Sequence, residues 1–220
     1  MSSVFQPFGL KPAYHPSGLD RAVPFIGTNT YQNGASYGAN YSLSAGQSFY
    51  QYQPVALTQY GQLTIAPQAA GTGKVYGVFD GVEYTNSDGR RSVAKSISLT
   101  ALAASTNVIF WIFQDPALVY EIQVHGSANA NAVGTEYNFD TVANSTVSDG
   151  YTIGVGGAGF STTALLATSV GSGNQGQVRV VGLGREAAYP AGNTNQWGDA
   201  YTIVQVVLSN NQFAAASVSV

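Results

Sequence analysis

Turn-forming residues interrupt this chain so often that short strands are the structure it can most readily build. Its 220 residues include 26 glycines and 8 prolines. Small polar clusters separate the apolar runs, at Ser87-Asp88-Gly89, Ser148-Asp149-Gly150 and Ala191-Gly192-Asn193. Such clusters mark turns and leave little uninterrupted chain for long helices. Because 45% of the residues are hydrophobic, a packed core is expected, and we predict an all-β body folded as an antiparallel sandwich or barrel.

Several segments carry the residue pattern of strands. Asn107–Phe113 (NVIFWIF) is a continuous apolar run, which predicts a strand buried on both faces with Trp111 in the core. From Tyr120 to Val124 apolar and polar residues alternate, which predicts a half-exposed strand. Further runs rich in Val and aromatic residues predict strands at Val75–Tyr84, Gln177–Leu183 and Tyr201–Leu208.

Helical patterns are weak. Ser98–Ser105 (SLTALAAS) has about two turns of good helix formers and predicts a short connecting helix. Phe160–Ser169 is a second, poorer candidate.

Three regions are predicted along the chain: an extended arm at residues 1–45, a β-rich body at 46–209 and a tail at 210–220 that frays or pairs. Four prolines and five glycines recur in the arm, and we expect them to keep it from building strands or helices of its own. Its Phe, Leu and Tyr residues are too apolar for a free linker, so the arm must lie on a surface. That surface is either its own body or a neighbouring subunit.

Charged residues make up only 9% of the chain, against roughly 25% in an ordinary soluble domain. The chain also has 14 tyrosines, and interface cores are poor in charge and rich in aromatic residues. This composition favours a protein that packs against other copies. The net charge of −3 and the pI near 5.1 give no electrostatic footprint for nucleic acid.

The sequence favours a non-enzymatic protein without cofactor or metal. Its glycines at 154, 156 and 159 match G-x-G-x-x-G, but no acidic residue follows at the distance that a dinucleotide ribose requires. Neither His15 nor His125 lies in a nucleophile motif. The absence of cysteine excludes disulfides and thiolate zinc ligands. We expect no membrane partner, since no apolar run is long enough for a spanning helix and no signal peptide is visible.

Four blocks of the chain, in order, resemble those of tailed-phage capsid decoration proteins, also called cement or head-stabilisation proteins. Phe8-Gly9-Leu10-Lys11-Pro12 with His15 and Gly18 is similar to the family's F-G-[LF]-[RK]-P…H…G opening. Gln53-Pro54-Val55 resembles its D-P-V segment, with Gln53 in place of the usual acid. The block from Asp115 to Gln123 (DPALVYEIQ) resembles D-P-x-x-x-[FY]-E-[IV]-Q. Val181-Gly182-Leu183-Gly184, followed by Tyr201 to Asn211, is similar to its closing segment, although this chain continues with FAAASVSV.

The resemblance implies a β-rich virion protein, made in the bacterial host cytoplasm, that binds the outside of a major capsid protein lattice and stabilises it. It also implies no catalysis and favours a homotrimer. A phage tail tube, fibre or adhesin subunit is the alternative with similar composition, and a polysaccharide-acting virion enzyme is a third. As interface residues we predict Phe8, Leu10, Tyr14 and His15 in the arm, and Trp197 beside a turn, where it serves as an interface anchor or as core.

Overall fold

Short antiparallel strands make up most of the computed structural model. The structure describes residues 5–18, 21–26, 31–32, 35–36, 40–67, 73–141, 161–170, 174–185, 187–188 and 193–213. Within these ranges lie one α-helix, α1 (Leu99–Ala103), and one 3-10 helix (Ala130–Ala132). The strands are β1 (Lys11–Tyr14), β2 (Val23–Phe25), β3 (Tyr31–Gln32), β4 (Ala35–Ser36), β5 (Ser48–Tyr50), β6 (Gln53–Leu57), β7 (Leu63–Ile65), β8 (Gly77–Thr85), β9 (Arg91–Ala94), β10 (Ser96–Ser98), β11 (Thr106–Phe113), β12 (Val119–Gln123), β13 (Glu136–Tyr137), β14 (Phe139–Thr141), β15 (Thr163–Leu165), β16 (Val178–Leu183), β17 (Ala187–Ala188), β18 (Asn193–Thr194) and β19 (Ile203–Leu208).

Two large sheets pack as a sandwich, which confirms the predicted all-β class. The five-stranded sheet has the order β1-β12-β19-β16-β13. The six-stranded sheet has the order β2-β11-β8-β6-β7. Its sixth strand, β9, pairs with the C-terminal half of β8, from Val82 to Thr85. The pairs β5–β10, β14–β15, β17–β18 and β3–β4 form small separate sheets.

The six-stranded sheet is buried on both faces because its apolar residues alternate between two cores. Val78 and Phe113 face the sandwich core, which they share with the five-stranded sheet. Their neighbours Phe79 and Ile112 face a second core beneath β5, β10 and α1. The prediction of a strand buried on both faces is thus confirmed for the C-terminal half of β11. Trp111 is only half-buried, so its prediction as a core residue is wrong: it lies opposite Pro24 of the edge strand β2.

The prediction of a half-exposed strand at β12 is wrong, because both faces of β12 are buried. Glu121 is 7% exposed and Gln123 is 2% exposed. Their side chains accept hydrogen bonds from backbone N–H groups that lie over the outer face: Arg185 N donates to Glu121 Oε1 and Gln6 N donates to Gln123 Oε1, both at 2.8 Å. The polar residues of β12 therefore act as hydrogen-bond acceptors for the chain segments that cover its outer face.

The connecting helix is confirmed as α1. Ser98 precedes it, and its Oγ accepts a hydrogen bond from Ala101 N, as an N-cap residue does. The second helix candidate is wrong, since its described part contains strand β15, which pairs with β14. The turn at Ser87-Asp88-Gly89 joins β8 to β9.

The N-terminal residues form strands after all, which corrects the prediction that Pro and Gly prevent them. β1 pairs with β12 at one edge of the five-stranded sheet, and β2 pairs with β11 at one edge of the six-stranded sheet. Each strand contains a proline, Pro12 or Pro24, and an edge strand tolerates proline because one side of its backbone needs no N–H donor. At the other end, Asn211 forms a parallel bridge to Val75, so the tail pairs there; residues 214–220 lie outside the described ranges.

Gly9 is the position where this N-terminal segment meets the body most closely. Its φ is +77°, and an added Cβ would lie 2.3 Å from the carbonyl oxygen of Tyr52 and 2.7 Å from Ser161 Cβ. Gly18 has the same φ of +77° but has nothing within 4 Å of an added Cβ. A substitution at Gly18 would therefore introduce backbone strain alone, whereas one at Gly9 would introduce both strain and steric overlap.

We expect Gly9→Ala to destabilise the protein more than Gly18→Ala, as measured by urea denaturation. Both variants incur the cost of a left-handed alanine, about 1–2 kcal/mol. Gly9→Ala adds an overlap with backbone atoms that cannot move freely, which costs about 2 kcal/mol more. Equal midpoints for the two variants would contradict this packing.

Candidate interaction surfaces

Residues 5–10 are built into the body rather than held away from it. Leu10 is completely buried in the sandwich core, and its N–H donates to Tyr52 O at 2.8 Å. Gly9 N donates to Thr163 O at 3.2 Å. This corrects the prediction of Leu10 as an anchor on a neighbouring subunit, because its side chain is enclosed by its own chain.

Phe5 holds the start of this segment against a histidine–aspartate pair. Its ring stacks on His125 with centroids 4.5 Å apart, and it is 5% exposed. His125 Nδ1 lies 2.6 Å from Asp140 Oδ2. Among the described residues no Ser or Thr hydroxyl is hydrogen-bonded to the His125 ring. Ser161 Oγ donates a hydrogen bond to Thr163 Oγ1 at 2.9 Å.

His15 lies at a corner where the chain crosses twice between the two sheets. The crossover from β1 to β2 runs beside the crossover from β11 to β12, and His15 Nε2 approaches Asp115 Oδ2 at 3.0 Å, although the two are not aligned as a hydrogen bond. His15 Nδ1 accepts from Ser17 N at 3.0 Å. Since the His15 side chain is only 8% exposed, it offers little surface to a neighbour in this conformation, and its role as an interface anchor stays a prediction.

Tyr14 and Phe8 are the predicted arm residues that remain accessible. Tyr14 is 39% exposed, and the Arg185 guanidinium carbon lies 5.7 Å from its ring centroid, within the range of a cation–π contact. Phe8 is half-buried, with Lys11 Nζ 6.0 Å from its ring centroid. Aromatic residues beside cationic side chains are common anchors of protein interfaces. The edge strand β1 and its flanks thus form the first candidate interaction surface.

Trp197 lies away from this surface, at the opposite end of β12 from Tyr14. It is half-buried and packs against the sandwich core. The loop that carries it is held by a hydrogen bond from Gly198 N to Ala128 O at 2.8 Å. Of the two alternatives, the structure favours core packing at a loop base, with part of the indole still accessible.

Lys11 of β1 interacts electrostatically with a cluster formed by Gln51, Tyr52 and Asp80, and the sequence patterns did not predict this. Asp80 is the extra residue of a β-bulge, since Phe79 and Gly81 pair with consecutive residues of β11. Gln51 Nε2 donates to Asp80 Oδ1 at 3.0 Å. The pKa of Tyr52 is raised above its ordinary value, mainly by burial and further by the negative charge of Asp80, while the positive charge of Lys11 lowers it.

The second candidate surface is an aromatic ladder that includes a residue of the predicted tail. Phe25 contacts Tyr76 with ring centroids 5.6 Å apart, and Tyr76 contacts Phe213 at 5.5 Å. Phe213 is 72% exposed, and Ile26 beside Phe25 is 67% exposed. A single Phe among small polar residues carried no pattern that would have marked it in the sequence.

No group of three or more His, Cys, Asp or Glu side chains that could hold a metal occurs in the part of the chain that the structure describes. No described helix is long and apolar enough to cross a membrane. The glycines at 154, 156 and 159 lie outside the described residues. In comparisons with protein families, curated proteins and solved structures, none matches this chain.

We expect Leu10→Ala to lower the free energy of unfolding by about 2–5 kcal/mol, because it leaves a cavity in the sandwich core. Tyr14→Ala, at an exposed site at the end of the following strand β1, should lower it by about 0.5 kcal/mol or less. Urea denaturation of both variants measures the difference. If Leu10→Ala is as stable as the wild type, residues 5–14 do not belong to the core.

We expect Asp80→Asn to lower the pKa of Tyr52, because it removes the negative charge that disfavours the phenolate. Lys11→Met should raise that pKa further. Carbon NMR of labelled tyrosine Cζ, assigned with Tyr52→Phe, measures both shifts. Since a raised pKa favours the neutral phenol in the folded state, stability should fall as the pH rises above about 10. A Tyr52 pKa that is unchanged in both variants would contradict the cluster.

Proposed function

We propose that this chain is a structural virion protein that binds the outside of a phage major-capsid lattice and stabilises it. The observation that carries the proposal is where the fold puts the four blocks that resemble capsid decoration proteins. The first and third blocks contain the paired strands β1 and β12. The two segments of the fourth, closing block overlap β16 and β19 of the same sheet. The second block begins at Gln53, directly after Tyr52, whose carbonyl accepts the Leu10 N–H.

Contacts within the first two blocks give a physical role to Gly9 and Gln53, and this supports the resemblance. Gly9 in the first block is required by its close approach to Tyr52 O. Gln53, where the family has an acid, accepts a hydrogen bond from Tyr50 N through its Oε1 at 3.0 Å. Like this amide oxygen, a carboxylate oxygen is a hydrogen-bond acceptor.

A lattice-binding role also accounts for the low charge and the two accessible aromatic surfaces. A cement protein makes many modest contacts, and their effect is multiplied over the repeated sites of a capsid. In this proposal Tyr14 and the edge strand β1 contact the major capsid protein. The protein lies on the virion exterior and associates with itself, as a trimer in the form that the resemblance favours.

We expect particles that lack the protein to release DNA at a lower temperature than complete particles, and added wild-type protein to restore the higher temperature. Tyr14→Ala should restore it less well than Tyr60→Ala, a control at another surface where the tyrosine is 43% exposed. A dye that reports released DNA during heating measures this. Identical release temperatures with and without the protein would reject the cement role; equal restoration by both variants would reject Tyr14 as the contact.

A further inference from the structure

The turn from His15 to Gly18 brings a serine hydroxyl onto a histidine ring. Gly18 N donates to His15 O at 2.9 Å, and Pro16 supplies the fixed φ that suits the second position of a turn. Ser17 Oγ lies 2.7 Å from His15 Nδ1, and Ser17 N donates to the same nitrogen at 3.0 Å. Ser17 is exposed, whereas the His15 side chain is only 8% exposed. The hydroxyl is therefore open to solvent while its histidine partner is enclosed.

These contacts define which ring nitrogen of His15 carries the proton. Because Nδ1 accepts the backbone N–H of Ser17, it is the bare nitrogen of the neutral imidazole, and Nε2 carries the hydrogen. The Ser17 hydroxyl then donates its proton towards Nδ1. A bare histidine nitrogen that receives a serine O–H is the arrangement of a general base beside its nucleophile.

Asp115 faces the other ring nitrogen. Its Oδ2 lies 3.0 Å from His15 Nε2, and its Oδ1 accepts from Ala117 N at 2.8 Å, which orients the carboxylate. Nε2 is buried and has no aligned hydrogen-bond partner in the part of the chain that the structure describes. Catalytic hydrogen bonds are often poorly aligned in a free protein and tighten when a substrate binds. Asp115 is thus a positioning residue that favours the proton on Nε2.

The backbone of the turn limits the substrates that this hydroxyl can attack. The N–H groups of Ser17 and Gly18 both have acceptors on His15, namely Nδ1 and the carbonyl oxygen. Neither is free to stabilise an oxyanion, and the loss of one such donor slows an enzyme by about 10²–10³-fold. Substrates with a good leaving group compensate for this loss. His125 offers no equivalent site, because its Nδ1 faces Asp140 and no described Ser or Thr hydroxyl is bonded to its ring.

We propose that Ser17 is an activated nucleophile that takes an acyl group from small esters with good leaving groups, with His15 as its general base. Ser17 Oγ attacks the carbonyl carbon while its proton passes to His15 Nδ1. The ester C–O bond then breaks, and the leaving oxygen takes that proton. Water cleaves the acyl–Ser17 ester by the same route and releases the acid. This activity goes beyond the proposed function and departs from the expectation of a non-enzymatic protein.

Mass spectrometry of the purified full-length protein tests the nucleophile. We expect p-nitrophenyl acetate to leave an acetyl group on Ser17, and a fluorophosphonate to leave its phosphonyl group there as the serine oxygen displaces fluoride. Ser17→Ala should lose both adducts. Ser87→Ala is the matched control, because Ser87 is an exposed serine in the turn between β8 and β9, and it should react like the wild type. No adduct, or adducts spread evenly over several serines, would overturn the proposal.

The rate of fluorophosphonate labelling tests the base. We expect His15→Gln to label about 10²-fold more slowly than the wild type, and His125→Gln, which removes the other histidine, to label at the wild-type rate. Circular dichroism of each variant checks that it is folded. If His15→Gln does not fold, Asp115→Ala replaces it in the comparison. Equal labelling rates in the wild type and the folded variant would contradict the proposal.

Nitrogen NMR of the histidine rings tests the positioning role of Asp115. We expect His15 to carry its proton on Nε2 in the wild type and to show a mixture of tautomers in Asp115→Ala, with labelling at least about tenfold slower. His125→Gln assigns the signals, since the chain has only two histidines. A proton on Nδ1 in the neutral wild-type ring would overturn the proposal, because that nitrogen could not accept the Ser17 proton.

Discussion

The sandwich depends on a close backbone contact between Gly9 and Tyr52. The absence of a side chain at Gly9 lets the first strand approach the Tyr52 carbonyl, which accepts the N–H of Leu10. Leu10 then enters the core between the two sheets, and β1 continues along β12. From there the chain crosses to the other sheet beside His15 and pairs as β2 with β11. One close approach therefore sets the path along which the N-terminal residues join both sheets at their edges.

The sequence predicted those elements whose stability comes from their own residues. Val-rich runs such as β16 and β19 form strands where they were expected, and Ser98 caps the short helix. The prediction failed where a distant segment decides the outcome. β12 has an alternating pattern, but backbone groups of Gln6 and Arg185 cover its polar face. The prolines in β1 and β2 suggested an arm because the sequence does not say which strand will occupy an edge.

The interaction surfaces were only partly predictable for the same reason. Tyr14 was expected to be accessible and is, while Leu10, four residues earlier, turns into the core. The cluster of Lys11, Tyr52 and Asp80 brings together three parts of the chain that no local pattern connects. The sequence does not mark Phe213 as an exposed surface residue, because its position depends on the hydrogen bonds between the Gln212 side chain and Leu57 of β6. Each of these outcomes follows from packing between segments that are distant in sequence.

In the role that we propose, the sandwich sits on the outside of a capsid. Electron cryomicroscopy of the parent virion tests it most directly, because a two-sheet β body of this size has a recognisable density. The account predicts that density on the outer surface of the major-capsid lattice, with β1 and Tyr14 towards the capsid. Density for this fold in the tail or fibres instead, or its absence from the capsid exterior, would contradict the account.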